Sequence, residues 1–206
     1  MILFPASVLA GVLIGYASGG RLRLLARVRL RANWVVGLAL AIQIALGALS
    51  GRHALAAPCR VPLVLASDLL VGAWIARNLA SRSRGEQAAL CAIGFGWLAN
   101  LVPIAVYGAM PVSSLALRQA GLSGLDVARG HLGKHLLATH AASAAAPWLA
   151  FGDWIPLRAL GTVVSPGDLL MALGIVAAVA AMMSPRRHEA RTYPLSAAQA
   201  SGTGGR

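Results

Sequence analysis

Long apolar runs separated by short arginine-bearing segments set the pattern of this chain. A helix crosses the hydrocarbon core of a bilayer with about 20 mostly apolar residues, at about 1.5 Å each. The pattern predicts five such helices, at Met1–Ser18, Trp34–Leu49, Val61–Leu79, Ala88–Tyr107 and Ser165–Ser184. The expected fold is all-α integral membrane: a five-helix transmembrane bundle with an outer amphipathic or re-entrant segment, 108–164, between the fourth and fifth helices. Residues 1–184 then form a single transmembrane domain. The polar stretch 185–206, ending Ser-Gly-Thr-Gly-Gly-Arg, reads as a disordered cytoplasmic tail.

Local signals set the expected ends. No basic residue precedes the first apolar run and no Ala-x-Ala site closes it, so it reads as an anchor rather than a signal peptide. Asn33 is placed to cap the second helix, Pro62 falls in the first turn of the third, and Arg77 can snorkel from its last turn. Pro103 interrupts the fourth helix. Ser165-Pro166-Gly167-Asp168 joins a Ser cap, Pro at the first helical position and an acid three residues after the cap. In the outer segment, Ser113 and Ser114 start a short helix ending at Gly121, and Gly152–Leu157 is a tight interfacial loop organised by Asp153. Residues 131–151 are apolar enough to suggest a sixth span. His131, Lys134, His135, His140 and Pro147 argue for an element lying at the outer surface instead.

Composition supports this reading. Hydrophobic residues make up 58% and charged residues 12% of the chain, against about 25% charged in soluble domains. The net charge of +12 comes almost wholly from arginine, 17 of the 18 basic residues, gathered between apolar runs. Charge on alternate loops places the N-terminus outside and the C-terminus in the cytoplasm of a plasma membrane. A nucleic-acid surface would need these charges on one polar face, so no nucleic acid is expected; the partner is the bilayer. Cys59 and Cys91 fall at opposite membrane surfaces, too far apart to bridge. No nucleotide loop or cofactor motif is present, and no cofactor is expected.

A few polar and small positions are candidates for chemistry or assembly. Ser7, Gly11, Gly15 and Gly19 recur every four residues, as do Gly37, Ala41 and Ala45, and Ala92 with Gly96. Such faces let helices approach, within the bundle or in a homo-oligomer. Asp68, deep in the third span, is expensive in hydrocarbon and can relay protons, pair with a cation, bind substrate, or serve structure alone. Gln43 suits an interhelical hydrogen bond. Asn100, beside Pro103 and ahead of Tyr107, can form a polar notch facing an outer cavity. His131 and His135 share a helical face, a weak zinc pair with no third ligand and Lys134 beside it. His135 and Asp153 complete the outer polar set.

The blocks Asn100–Ser113, Lys134-His135, Gly152–Leu157 and Ser165–Asp168, with Gly19–Arg23 and Arg77-Asn78, resemble in order those of an uncharacterised bacterial membrane family designated domain of unknown function 5317. The resemblance covers nearly the whole chain. It implies a small multi-spanning protein and supplies no catalytic residues. Three functions are therefore in play. The first is a non-catalytic sensor or accessory membrane component, with a membrane-protein partner or a second copy. The second is a small-solute or ion translocator using Asp68 and the Asn100/Pro103 break. The third is a membrane enzyme built on outer His and Asp residues.

Overall fold

A computed structural model describes residues 3–28, 30–51, 57–80, 82–107, 110–122, 140–142 and 150–185. The elements are α1 (Leu3–Ala17), α2 (Leu22–Leu25), α3 (Asn33–Gly51), α4 (Ala57–Leu79), α5 (Arg84–Tyr107), β1 (Pro111–Ser113), α6 (Ser114–Gln119), β2 (His140–Ala142), β3 (Ile155–Leu157), a 3-10 turn (Arg158–Leu160), β4 (Thr162–Val164) and α7 (Pro166–Met183). The fold is helical. Three stretches are long and apolar enough to cross a membrane: Pro62–Leu79 of α4, Arg84–Val106 of α5, and α7. The apolar stretches Leu3–Ala17 and Asn33–Leu46 are shorter. At 15 residues α1 is about 22 Å long, less than the roughly 30 Å of hydrocarbon.

The long helices stand in a row. The most extensive contacts are α5 with α7 and α1 with α7, followed by α3 with α4 and α4 with α5, which gives the order α1–α7–α5–α4–α3. Close approach explains how α7 fits between α1 and α5. A methyl group on Gly11 would lie 2.8 Å from Val179 Cβ, one on Gly15 2.7 Å from Met183 Sδ, and one on Gly174 2.6 Å from Ile93 Cγ1. Gly96 packs equally tightly on Met171. The small face expected on the second helix behaves otherwise: Gly37, Ala41 and Ala45 are exposed, while Ala39 and Leu46 are buried.

Several helix ends differ from expectation. Asn33 lies inside α3, preceded by Ala32 at φ 57°. The third long helix begins at Ala57, so Pro62 sits in its interior. The next begins at Arg84 because Ser83 and Glu86 cap it reciprocally: Glu86 Oε2 accepts from the Ser83 N–H at 3.2 Å, and Ser83 Oγ accepts from the Glu86 N–H at 3.5 Å. That helix also runs through the buried Pro103 to Tyr107. One lost backbone donor is tolerated where neighbouring helices hold the chain, so the expected helix break is absent.

The end of the row carrying the arginines is built from the 18–33 connection. Gly19 does not join the packing face of α1. It is exposed at φ +78°, a turn conformation that favours glycine, and a methyl group there would meet nothing within 4 Å. Gly20 takes the packed position, and the Arg21 N–H donates to Met183 O at 3.0 Å. Leu25, Val28 and Leu30 then cover Ala89, Ala178 and Met182, while Arg21, Arg23, Arg27 and Arg31 stay exposed. Asn78, wholly buried, clamps this connection: its Oδ1 accepts from the Arg31 N–H at 2.8 Å, and its Nδ2 donates to Arg31 O at 3.0 Å and to Trp74 O at 2.9 Å.

A small cap covers the opposite end and departs from an all-α fold. β1 pairs in parallel with β2, β3 pairs antiparallel with β4, and Val112, Ala116, Leu117, Ala120 and Val163 form their own core. Ser113 Oγ accepts from the Ala116 N–H at 3.3 Å to start α6, and Gly121 at φ +78° follows its end. Arg158 Nε donates to Gln119 O at 2.7 Å, satisfying a last-turn carbonyl of α6. Residues 131–139 and 143–149, where an amphipathic or re-entrant element is expected, lie outside the described residues, as does the tail from 186 onward.

Candidate functional site: a carboxylate-lined cavity among the long helices

The row of helices curves around a cavity of about 330 Å³, to which each long helix contributes: Phe4 from α1, Gln43 from α3, Asp68 from α4, Asn100 from α5 and Asp168 from α7. Its wall is otherwise mainly apolar. The polar groups fall into three sets with different states of satisfaction.

The first set joins α5 to α7. Asn100 Nδ2 donates to Asp168 Oδ1 at 2.8 Å, and Ser165 Oγ donates to Asn100 Oδ1 at 2.7 Å. Ser165 Oγ also accepts from the Asp168 N–H, and Asp168 Oδ2 from the Ser165 N–H, both at 3.0 Å. The capping box of α7 is thus closed into a ring by an amide from the next helix. Ser165 and Asp168 are wholly buried and Asn100 is 8% exposed, so this ring is shielded from competing water, and its bonds are stronger for that. Gly167 permits it, because a methyl group there would strike Asn100 Oδ1.

The second set joins α3 to α4. Gln43 Nε2 donates to Ser67 Oγ at 2.6 Å, and Ser67 Oγ donates to Val64 O at 2.8 Å. Both side chains line the cavity, and the bond ties the edge of the row to its neighbour.

Asp68 is the third. Its carboxylate lines the cavity, and among the described residues nothing bonds to it. Trp97 lines the same space, with its Nε1 buried and without a hydrogen-bond partner among the described residues. The site therefore offers one uncommitted carboxylate and aromatic surface in an apolar pocket, next to polar groups already spent on holding helices together.

The residues singled out from sequence divide accordingly. Asp68 and Asn100 meet at one cavity, although Asn100 is bound into the α7 cap rather than into a broken turn at Pro103. Asp153 does not join them. It is buried in the cap, where its N–H donates to Pro111 O and its carbonyl accepts from the Ser113 N–H, both at 2.8 Å. Tyr107 is the last residue of α5, and His131 and His135 lie outside the described residues. Gly11 and Gly15 face α7, and Gly19 does not. Sequence reasoning missed Trp97, Ser67 and the pairing of Asn100 with Asp168. Only part of the signal was available: polar residues near the same end of apolar helices must find partners, but which partner each takes depends on how the helices are arranged.

Residues 27–180 match the model of a family of unknown function. The matched stretch contains Gln43, Asp68, Asn100 and Asp168, and begins after α1. No curated protein and no solved structure matches the chain.

Proposed function

We propose, from the premise that the chain belongs to DUF5317, a family of unknown function, that it is a multi-pass plasma-membrane protein whose role is to bind a small molecule between its helices. In this reading it is a non-catalytic sensor or accessory component. All five long helices lie in the bilayer, with the N-terminus outside and the C-terminus in the cytoplasm.

The membrane part is supported by where apolar surface is left. Leu9, Leu13, Leu40, Ile44, Leu69, Phe95 and Leu173 are all more than half exposed, spread over each long helix, as lipid-facing positions would be. α1 is short at 15 residues, but it packs along α7, and local thinning or snorkelling accommodates a short span at modest cost; α3, at 19 residues, is as long as α7 at 18. The arginines of the 18–33 connection and of the α4–α5 turn share one end, which the positive-inside bias assigns to the cytoplasm.

The binding part rests on a single observation: Asp68 is a carboxylate facing a cavity, with no partner among the described residues. Ionisable groups in membrane interiors usually pair or serve a site, and the cavity volume is at the small end of ligand pockets, about 300–1,000 Å³. Thermal unfolding of the purified protein in nanodiscs, screened against small amphipathic compounds, tests this. Some compounds should raise the midpoint, and Val71→Phe, which narrows the cavity, should abolish that effect. Stabilisation that survives Val71→Phe, or none from any compound, would remove the reading.

Translocation of a small solute or ion is favoured by the same carboxylate, but loses the helix break it was to use at Pro103. Flux in proteoliposomes that disappears in Asp68→Asn at equal protein level would establish it. The enzyme reading would need the outer His and Asp residues brought together; the backbone of Asp153 is fixed beside β1, and His131 and His135 lie outside the described residues.

A further inference from the structure

The charges around the cavity run against those of the chain. Eighteen basic and six acidic residues give a net charge of +12, yet two of the six acids, Asp68 and Asp168, line this cavity, and no Arg or Lys does among the described residues. Asp168 is committed to Asn100 and the α7 cap. Asp68 is left facing apolar walls, with the aromatic rings of Phe4 and Trp97 lining the same space. We infer that the cavity selects a small lipophilic ammonium, its charged nitrogen paired with Asp68 and its apolar body held among Phe4, Trp97 and Val71.

Three physical terms lead to this class. An anion would enter beside two carboxylates with no cation to offset them, which costs free energy in a medium of low dielectric constant. A neutral apolar molecule would fill the walls and leave the Asp68 carboxylate desolvated without a partner. An ammonium supplies that partner, and aromatic faces attract a desolvated cation as well. A zwitterionic phospholipid headgroup would bring a phosphate for which the cavity has no donor of positive charge. A free amine of modest size therefore fits better than lipid. At roughly 30 Å³ per water-sized unit, the 330 Å³ available holds a molecule of roughly ten heavy atoms.

This rests on the reading of the cavity as a binding site, and the test separates the two claims. Purified full-length protein in nanodiscs is titrated by equilibrium dialysis with 4-phenylbutylamine, its neutral counterpart 4-phenylbutanol and the anion 4-phenylbutyrate, with empty nanodiscs as the partition control. Saturable amine binding is expected, at least about tenfold tighter than the alcohol and with no saturable binding of the anion. Asp68→Asn should abolish the preference for amine over alcohol, and Asp68→Glu should keep it. Unchanged elution volume and unfolding midpoint in Asp68→Asn establish that the fold is retained. Equal affinities for amine and alcohol in the unaltered protein, or a preference that persists in Asp68→Asn, would overturn the cation assignment and leave the binding site standing. If none of the three probes saturates, both claims fall.

Discussion

Replacing Asn100 by Ala should be among the most damaging single truncations in the bundle. The side chain is 8% exposed and makes two hydrogen bonds, to Asp168 Oδ1 at 2.8 Å and from Ser165 Oγ at 2.7 Å. Hydrogen bonds between membrane helices average about 0.6 kcal/mol and reach about 1.7 kcal/mol; one made to a charged group in a protein contributes about 1.5–3 kcal/mol. Taking the serine bond at the first scale and the carboxylate bond at the second, the loss is about 2–5 kcal/mol. Equilibrium unfolding in mixed micelles measures it. Asn100→Asp sharpens the test, because it keeps the volume and the acceptor for Ser165 but sets a second carboxyl group against Asp168. It should cost at least as much as Asn100→Ala. The two residues should also be coupled, so that Asn100→Ala and Asp168→Ala together cost less than the sum of the single changes by about 1 kcal/mol or more. A loss below about 0.5 kcal/mol for Asn100→Ala, or additivity within that margin, would refute the idea that this ring holds α5 to α7.

Other consequences follow from the same packing. Gly174→Ala places a methyl group 2.6 Å from Ile93 Cγ1 and should cost about 1–3 kcal/mol. Gly37→Ala meets nothing within 4 Å and should leave the unfolding midpoint unchanged or raise stability by up to about 1 kcal/mol. Asn78→Ala removes the clamp on the Arg31 backbone, so trypsin should cut the connection between α1 and α3 several times faster in detergent, and stability should fall by about 1–3 kcal/mol. Reporter fusions after Gly130 and after Arg187 should read outside and cytoplasm respectively; an outside reading after Arg187 would defeat the proposed orientation.

What the sequence made legible was set by signals local to the chain. Ser165-Pro166-Gly167-Asp168 carries its helix start within four residues, and the reciprocal cap forms there as the residue types require. Ser113 and Gly121 bracket α6 for the same reason. Gln43 was expected to bond across helices and does, to Ser67. The errors come where tertiary contacts decide. Gly19 continues the four-residue spacing of α1, but the helix ends before it, and spacing alone does not record where a chain turns. Pro103 looks like a break, yet packing on both sides of α5 carries the helix past it. Gly37, Ala41 and Ala45 form a small face as regular as that of α1, yet it is not used within the bundle and lies exposed on the single chain. Asp68 stood out as an apolar-span carboxylate. That Asn100 and Asp168 satisfy each other while Asp68 is left facing the cavity depends on how five helices are arranged, and no local pattern encodes it.

The cavity is built from all five long helices, so α1 and α3 must lie in the bilayer beside α4, α5 and α7. Cysteine accessibility tests this most directly: Arg27→Cys is made in a Cys59→Ser, Cys91→Ser background, and intact cells are treated with a membrane-impermeant maleimide. If α1 and α3 both cross, the connection between them is cytoplasmic and the one after α3 is outside, so Cys at position 27 is labelled only after permeabilisation, while a separate Arg52→Cys in the same background is labelled in intact cells. The same labelling behaviour at positions 27 and 52 would mean that α3 does not cross, and would contradict the arrangement on which the cavity rests.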